Sequence, residues 1–355
     1  MNFYLFSKTN WEEMPRLRHQ FARMLAIRGH KIFFFQKPTF LIGLQPPIKI
    51  EKNIYLVRIP ELVHHQLKIN RPVKFFSDLY FLFRFKSIIK YIEKPDCVIN
   101  FNYDFDFLLK TFNSKTIFII NDDFIEMSRF WMRSQAQKME IATIRNSDKV
   151  LTVSEKIIFK YKNIYNSKFT LFLPWAQEKY KQPQKKLKRN TVLFYGFVDN
   201  RIDWVLLNEI IKSTNYCFKF VGPILDRDVR EKIRVLSKNK NFKYFNSSKL
   251  NDNLLDDIFC SLIPYSEKIK GVNAVTVSNR SIQLLSFGIP IITKEMKFTL
   301  TKKNVIFSYN SKSQLYKTLK EIKLCFHDFQ KDIKKFVEEN NESIRYKKFM
   351  ELIKK

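Results

Sequence analysis

Acidic residues are scarce in this 355-residue chain: 34 Asp and Glu stand against 64 Lys and Arg, a formal net charge of +30. An imbalance of that size points to an anionic partner, whether a membrane surface, a nucleotide, a nucleic acid or an acidic polymer. The abundance of Asn, Lys, Ile and Phe also fits a coding bias toward A and T, which raises Lys with no partner to select it. Cysteine is rare, and the four present, Cys97, Cys217, Cys260 and Cys325, lie far apart in apolar, strand-like contexts. That excludes a disulfide framework and a Cys-based metal site, and it is the usage of a reducing compartment. The five histidines, His19, His30, His64, His65 and His327, form no ligand cluster. No window reaches the ~18 to 20 apolar residues that span a bilayer. Met1 leads straight into the strand-like NFYLF, without a charged segment and a long apolar one, so a secretory signal is not expected.

What is present suffices for two cores: 45% of residues are apolar, and the length suits two domains. The chain is organised around Leu262–Thr293. An apolar strand ends at Pro264-Tyr265, a polar basic loop follows, a helix opens near Ser278-Asn279, and Gly288-Ile289-Pro290 turns into a second apolar strand. This is one βαβ unit. Ser278 and Asn279 suit an N-cap and Gly288 a left-handed C-cap, giving a helix of roughly three turns. Its N-terminus, with Asn279 and Arg280 at the mouth, suits phosphate oxygens.

Other stretches repeat the pattern. Asn2–Phe6 reads as a buried strand, 16–28 as a helix closed by Gly29, and KIFFF as the next strand. Between Arg71 and Lys94 the chain is basic and aromatic. Phe75, Phe76, Leu79, Leu82, Phe83, Phe85, Ile88 and Ile89 make a broad apolar face beside Lys74, Arg84, Lys86 and Lys90, which suits either a domain core or an anionic membrane interface. The strand KTIFII runs into Asp122-Asp123 at its C-terminal end, where open α/β sheets keep their sites; the pair can also cap the helix that starts near Phe124. Helices are expected over 129–146 and 252–259. The stretch 176–190, basic and nearly free of apolar residues, reads as a linker, after which TVLFY, Gly196 and a polar turn restart the βα pattern.

The Leu262–Thr293 stretch resembles the donor-binding motif of retaining, sugar-nucleotide-dependent GT-B glycosyltransferases. In that family a basic residue, two further residues and a Glu open a helix that closes on small-x-Gly-x-Pro. Arg280, Ser281, Ile282 and Gln283 match the opening, and Ser286, Gly288 and Pro290 the close. Gln283 replaces the Glu that holds the ribose hydroxyls, and Val275 stands where a second acidic residue is expected; an amide accepts one such hydrogen bond but offers no charge. The segment from Trp11 to Phe35 resembles the opening of bacterial cell-surface members of the same group.

The resemblance implies an α/β GT-B fold: two Rossmann-like, doubly wound domains facing a central cleft, with a C-terminal helix crossing back to the first. The domains expected are 1–175 on the acceptor side, a linker at 176–190, the nucleotide-sugar domain at 191–330 and the returning helix at 331–355. By the same resemblance Arg201 and Arg280 face the donor diphosphate, with Gly196, Asp203 and Gln283 around the donor; Asn279 at the helix mouth joins them, and in FVGP Gly222, before Pro223, lets the backbone approach the donor or simply makes a turn. Asp122 and Asp123 handle the acceptor hydroxyl, and Arg18, His19 and Gln20 meet the acceptor. Asp104 and Asp106 carry an Asp-x-Asp spacing but lie in the wrong half, so neither metal nor cofactor is expected.

The implied activity is metal-independent transfer of a hexose, of retaining type, from a nucleotide-diphosphate sugar to a cell-surface glycan or lipid-linked acceptor. Capsule, O-antigen, lipopolysaccharide or exopolysaccharide synthesis would use it. The expected location is cytoplasmic, peripheral on the inner face of the cytoplasmic membrane. The alternatives are an inactive GT-B scaffold, favoured by Gln283 and Val275, a sugar-nucleotide epimerase, and a nucleic-acid binder, which only the charge supports. No nucleic-acid partner is expected.

Overall fold

The computed structural model describes residues 1–39, 45–59, 61–63, 67–68, 70–184, 188–246, 254–269, 271–274, 278–297 and 299–354. The chain divides into two compact units: Met1–Leu173 together with the residues from Met350 onward, and Pro174–Phe349.

The first unit holds strands β1 (Asn2–Phe6), β2 (Lys31–Phe35), β3 (Ile48–Glu51), β4 (Ile54–Val57), β5 (Cys97–Asn100), β6 (Lys115–Ile120), β7 (Lys149–Thr152) and β8 (Phe169–Leu171). Its helices are α1 (Leu17–Ile27), α2 (Arg71–Ile88), α3 (Asp106–Leu109), α4 (Phe124–Met127), α5 (Arg133–Arg145) and α6 (Glu155–Tyr165). The sheet order is β3-β4-β2-β1-β5-β6-β7-β8, parallel except for the β3–β4 pair. From β1 the chain winds outward through β2 to β4 and then jumps back beside β1, so the order reverses between β1 and β5. Ligand sites in such sheets form off the C-terminal strand ends at that reversal.

The second unit holds β9 (Thr191–Tyr195), β10 (Cys217–Val221), β11 (Phe242–Phe245), β12 (Ile258–Ile263), β13 (Ile291–Lys294) and β14 (Ile306–Tyr309). Helices α7 (Trp204–Ser213), α8 (Arg227–Leu236), α9 (Asn279–Leu284), α10 (Lys312–Leu324), α11 (Gln330–Glu339) and α12 (Glu342–Lys354) complete it, the end of α12 counting with the first unit. The order β11-β10-β9-β12-β13-β14 is parallel throughout and reverses between β9 and β12.

Parallel strands covered on both faces need apolar residues at every position, and the sequence supplies them. Phe3 through Phe6 are all buried, as are Ile32 through Phe35 and Ile258 through Ile263. In the first unit Tyr4, Phe6, Phe33 and Phe35 pack against Phe81, Phe85 and Ile88 of α2, Phe105 at the start of α3 and Leu108 within it. Fully burying each such side chain contributes roughly 1.5–3 kcal/mol.

The broad apolar face expected on α2 divides in two: Phe85 and Ile88 enter the core, while Phe75, Phe76, Leu79 and Phe83 are exposed. The helix expected at 129–146 is a 3-10 turn, Phe130–Met132, followed by α5. Of the helix expected at 252–259, residues 252 and 253 lie outside the described residues, and from Ile258 the chain is already strand β12. Helix α9 has six α-helical residues and closes in a 3-10 turn, Leu285–Phe287, with Gly288 left-handed at φ 69°.

The stretch expected as a linker at 176–190 is held by the second unit. Gln177 N donates to Ser286 Oγ at 2.8 Å, Lys181 N to Ser286 O at 2.7 Å, and Tyr180 OH to Gln330 Oε1 at 2.6 Å. A Cβ on Gly288 would stand 2.4 Å from Pro183 and 2.3 Å from Gln330, so the Ser-x-Gly close of the helix is shaped by the segment lying over it.

Candidate active site

In the second unit the site is built where the sheet order reverses. The chain leaves β9 at Gly196 and runs beside the end of β10: Gly196 N donates to Val221 O at 3.0 Å, Val198 N to Pro223 O at 3.0 Å and Leu225 N to Val198 O at 3.3 Å. Gly222, at φ 150°, would place a Cβ 1.7 Å from Gly196 O. Gly222 and Pro223 therefore join two loops, and the space beside Gly222 is filled by protein backbone.

The same loop is bolted to the residues after β12. Asp203 N donates to Pro264 O at 2.7 Å and Ser266 N to Arg201 O at 2.8 Å. Asp203 caps α7, its carboxylate accepting from Leu206 N at 3.1 Å. Arg201 is gripped by Asp199: Nε donates to Oδ1 and Oδ2 at 3.1 and 3.0 Å, and Nη2 to Oδ2 at 2.7 Å. Its guanidinium lies 5.1 Å from the Tyr265 ring centroid.

Arg280, the second residue of α9, lies 4.6 Å from the ring centroid of Phe197. Burial pushes the Tyr195 phenol pKa up, and the Arg280 charge opposes that shift. The loop 195–201 thus carries Arg201 and lies beside Arg280. Asn279, the first residue of α9, carries an amide whose nitrogen and oxygen are buried with no hydrogen-bond partner among the described residues. Gln283 follows one turn later and is half-buried; Val275 lies outside the described residues. Stacked guanidinium groups and an amide at a strand-to-helix junction are chemistry for phosphate oxygens.

In the first unit Arg18 is buried and donates through Nη1 to Thr9 Oγ1 at 2.7 Å and through Nη2 to Asn121 Oδ1 at 3.5 Å. Burial pulls its pKa down to about 10; Arg16 adds to the fall and Asp122 opposes it. The structure therefore brings Arg18 and Asp122 together, at the end of β6. His19 is a structural residue: its Nδ1 accepts from Arg16 N at 3.0 Å in the cap of α1, Nε2 lies 3.2 Å from Asn10 O, and burial lowers its pKa to about 4. Gln20 is buried, with Oε1 unsatisfied among the described residues. Asp123 is buried as the cap of α4, accepting from Glu126 N at 3.2 Å and pairing with Lys160 at 3.0 Å. Of the acidic pair, Asp122 is the more exposed.

Sequence reasoning missed Asp199, Phe197 and Tyr265 in the second unit and Thr9, Asn121 and Lys160 in the first. The signal for Asp199 was local: a carboxylate two residues before an Arg in a tight turn. At the reversal point of the first sheet, Lys8 pairs with buried Asp104, and Lys8 N donates to Asn102 Oδ1 at 3.1 Å, so Asp104 is engaged by a lysine. Among the described residues no three His, Cys, Asp or Glu side chains group to hold a metal ion.

No protein-family model and no curated protein matches the sequence. Solved structures do match. Sucrose-phosphate synthase from Thermosynechococcus elongatus aligns over 99% of this chain and 98% of its own, with TM-score 0.74 at 13% identity. WaaG, a glycosyltransferase involved in lipopolysaccharide biosynthesis, aligns over 99% of both chains with TM-score 0.67 at 14% identity. The lipopolysaccharide outer core galactosyltransferase WaaB in its apo form aligns over 99% of both, with TM-score 0.62 at 11% identity. The chain has the fold of these GT-B glycosyltransferases.

Proposed function

We propose that this GT-B chain is a glycosyltransferase that moves a hexose from a nucleotide-diphosphate sugar to a cell-surface glycan or lipid-linked acceptor, with retention and without a metal. The observation that carries the reading is that Arg201 sits in the loop after β9 and Arg280 lies over Phe197 of that same loop, each guanidinium over an aromatic ring. A structural neighbour, trehalose-6-phosphate from E. coli, is bound with UDP-2-fluoro glucose; it aligns with TM-score 0.67 at 10% identity.

Breaking the anomeric bond leaves a nucleoside diphosphate and an oxocarbenium-like sugar. Cations fixed on the diphosphate stabilise charge that develops in the transition state, and being already oriented they cost little reorganisation. Arg201 and Arg280 take that role, and the Asn279 amide reaches the phosphate or ribose oxygens. Gln283 offers the ribose one neutral hydrogen bond in place of a charged one. Asp122, beside Arg18, orients the acceptor hydroxyl, and Asp123 holds α4 in place. The site of action is the inner face of the cytoplasmic membrane, reached through α2. Among the described residues no helix is long and apolar enough to cross a membrane.

A thermal-shift screen against sugar nucleotides tests the reading: a ligand at 100 times its dissociation constant adds about 2.7 kcal/mol. No shift with any of them, and no release of nucleoside diphosphate, would sink it. Binding without turnover in the presence of candidate acceptors would leave the inactive scaffold, which the neutral Gln283 favours.

A further inference from the structure

We propose that Asp199 is a positioning residue that holds the Arg201 guanidinium ready for the diphosphate of a nucleoside diphosphate; this rests on the glycosyltransferase reading above. A guanidinium carries five N–H donors in one plane at the end of a long side chain with many rotamers. Left mobile, it must be ordered at the moment of binding. Here the ordering precedes the ligand.

Asp199 is 7% exposed and grips the Nε/Nη2 edge with both oxygens. Its Oδ1 also accepts the backbone N–H of Arg201 at 3.0 Å, which ties the carboxylate to the turn it serves. Arg201 O accepts from Ser266 N, and Ile202 bridges Tyr265, whose ring lies against the guanidinium. The guanidinium is thereby held by a carboxylate on its Nε/Nη2 edge and by the Tyr265 ring it lies over, and the residue carrying it is fixed by backbone pairing. Pre-ordered donors of this kind raise affinity by removing an ordering cost. The assembly sits at the β9–β12 reversal, the place where a doubly wound sheet takes its ligand.

The rival account is that Asp199 merely neutralises Arg201, in which case removing the carboxylate would tighten anion binding. A double-mutant cycle separates the two. Affinities for UDP, GDP and ADP are measured by calorimetry on the full chain for the wild type, Asp199→Asn, Arg201→Ala and the double variant, with circular dichroism and melting followed for each. The expected result is about a tenfold loss of affinity for the preferred nucleotide with Asp199→Asn when Arg201 is present, and no further loss when it is already Ala. Equal losses in both backgrounds mean a structural role and overturn the proposal. Tighter binding by Asp199→Asn overturns it in favour of neutralisation. If the wild type binds none of the three nucleotides and releases none from a sugar nucleotide, the glycosyltransferase reading falls and takes this proposal with it. If Asp199→Asn does not fold, the cycle is run with Asp199→Glu, which keeps the charge and shifts the fork by one methylene: a loss of affinity confined to the Arg201 background supports positioning, and unchanged affinity or equal losses in both backgrounds overturn it.

Discussion

Gly196 and Gly222 meet backbone to backbone, with the carbonyl oxygen of Gly196 in the place where any side chain on Gly222 would begin. Two constraints coincide there. The φ of 150° is one that L side chains rarely adopt, and a Cβ would lie 1.7 Å from Gly196 O. Backbone cannot step aside as a flexible side chain can, so Gly222→Ala forces the loops after β9 and β10 apart. The expected cost is about 3 kcal/mol, seen as a melting temperature several degrees lower and as weakened nucleotide binding. Melting within one degree of the wild type would show that the loops give way freely.

Arg201 and Arg280 belong to different elements but stand against aromatic residues around one loop. Replacing either with Ala is expected to remove roughly 2–4 kcal/mol of transition-state stabilisation, a 10²- to 10³-fold fall in kcat/KM, by analogy with the loss of an oxyanion-hole donor. Replacing Asp203 with Asn, which still caps α7, should leave kcat/KM nearly unchanged. Turnover unaffected in both Arg variants would remove the diphosphate assignment.

Much of this was legible in the sequence because parallel strands buried on both faces write themselves as unbroken apolar runs. NFYLF, KIFFF, KTIFII and TVLFY each became a strand of a doubly wound sheet, and the apolar strand read as ending at Pro264-Tyr265 begins at Ile258, inside the stretch expected as a helix. Gly288 was readable as a left-handed cap from its place before Ile289-Pro290. What local pattern could not show was who meets whom over long separations. His19 and Asp203 look like site residues by position, yet each is spent on its own helix cap. Ser286 takes a backbone N–H from Gln177, 109 residues away, and so turns a polar basic stretch into a strap on α9. The apolar positions on α2 were found, but the sequence did not say which half of them the core would take.

Glu140 is a buried carboxyl that accepts a hydrogen bond from the Tyr161 hydroxyl. Burial pushes its pKa up to about 7 from an ordinary 4.5, against the pull of Tyr161 and Lys160. Between those two values the folded state binds more protons than the unfolded one. Stability therefore falls as pH rises from about 4.5 to about 7, and the loss is complete above it. Glu140→Gln keeps an acceptor for Tyr161 and cannot ionise. Its stability relative to the wild type should improve between pH 5 and pH 8 by on the order of 1–3 kcal/mol, read from urea unfolding at both pH values. A difference that does not change with pH would place the carboxyl outside this window.

Helix α2 presents Phe75, Phe76, Leu79 and Phe83 to solvent at 64, 61, 55 and 66% exposure, with Arg84, Lys86 and Lys90 on the same helix and the turn after it. Phe81, Phe85 and Ile88 already satisfy the core, so these four need a different partner, and contiguous exposed apolar side chains mark an interaction surface. An anionic lipid surface matches both their character and the net charge of +30. Each Lys or Arg held near such a surface contributes about 1 kcal/mol, which salt screens, while aromatic insertion persists in salt. Flotation with liposomes containing acidic lipids should therefore show binding at low salt and a reduced but measurable fraction at high salt. Phe76→Ser with Phe83→Ser should abolish the high-salt fraction and leave melting unchanged, because neither ring is buried. A wild-type protein that stays at the bottom of the gradient at both salt concentrations would mean that α2 does not meet a membrane.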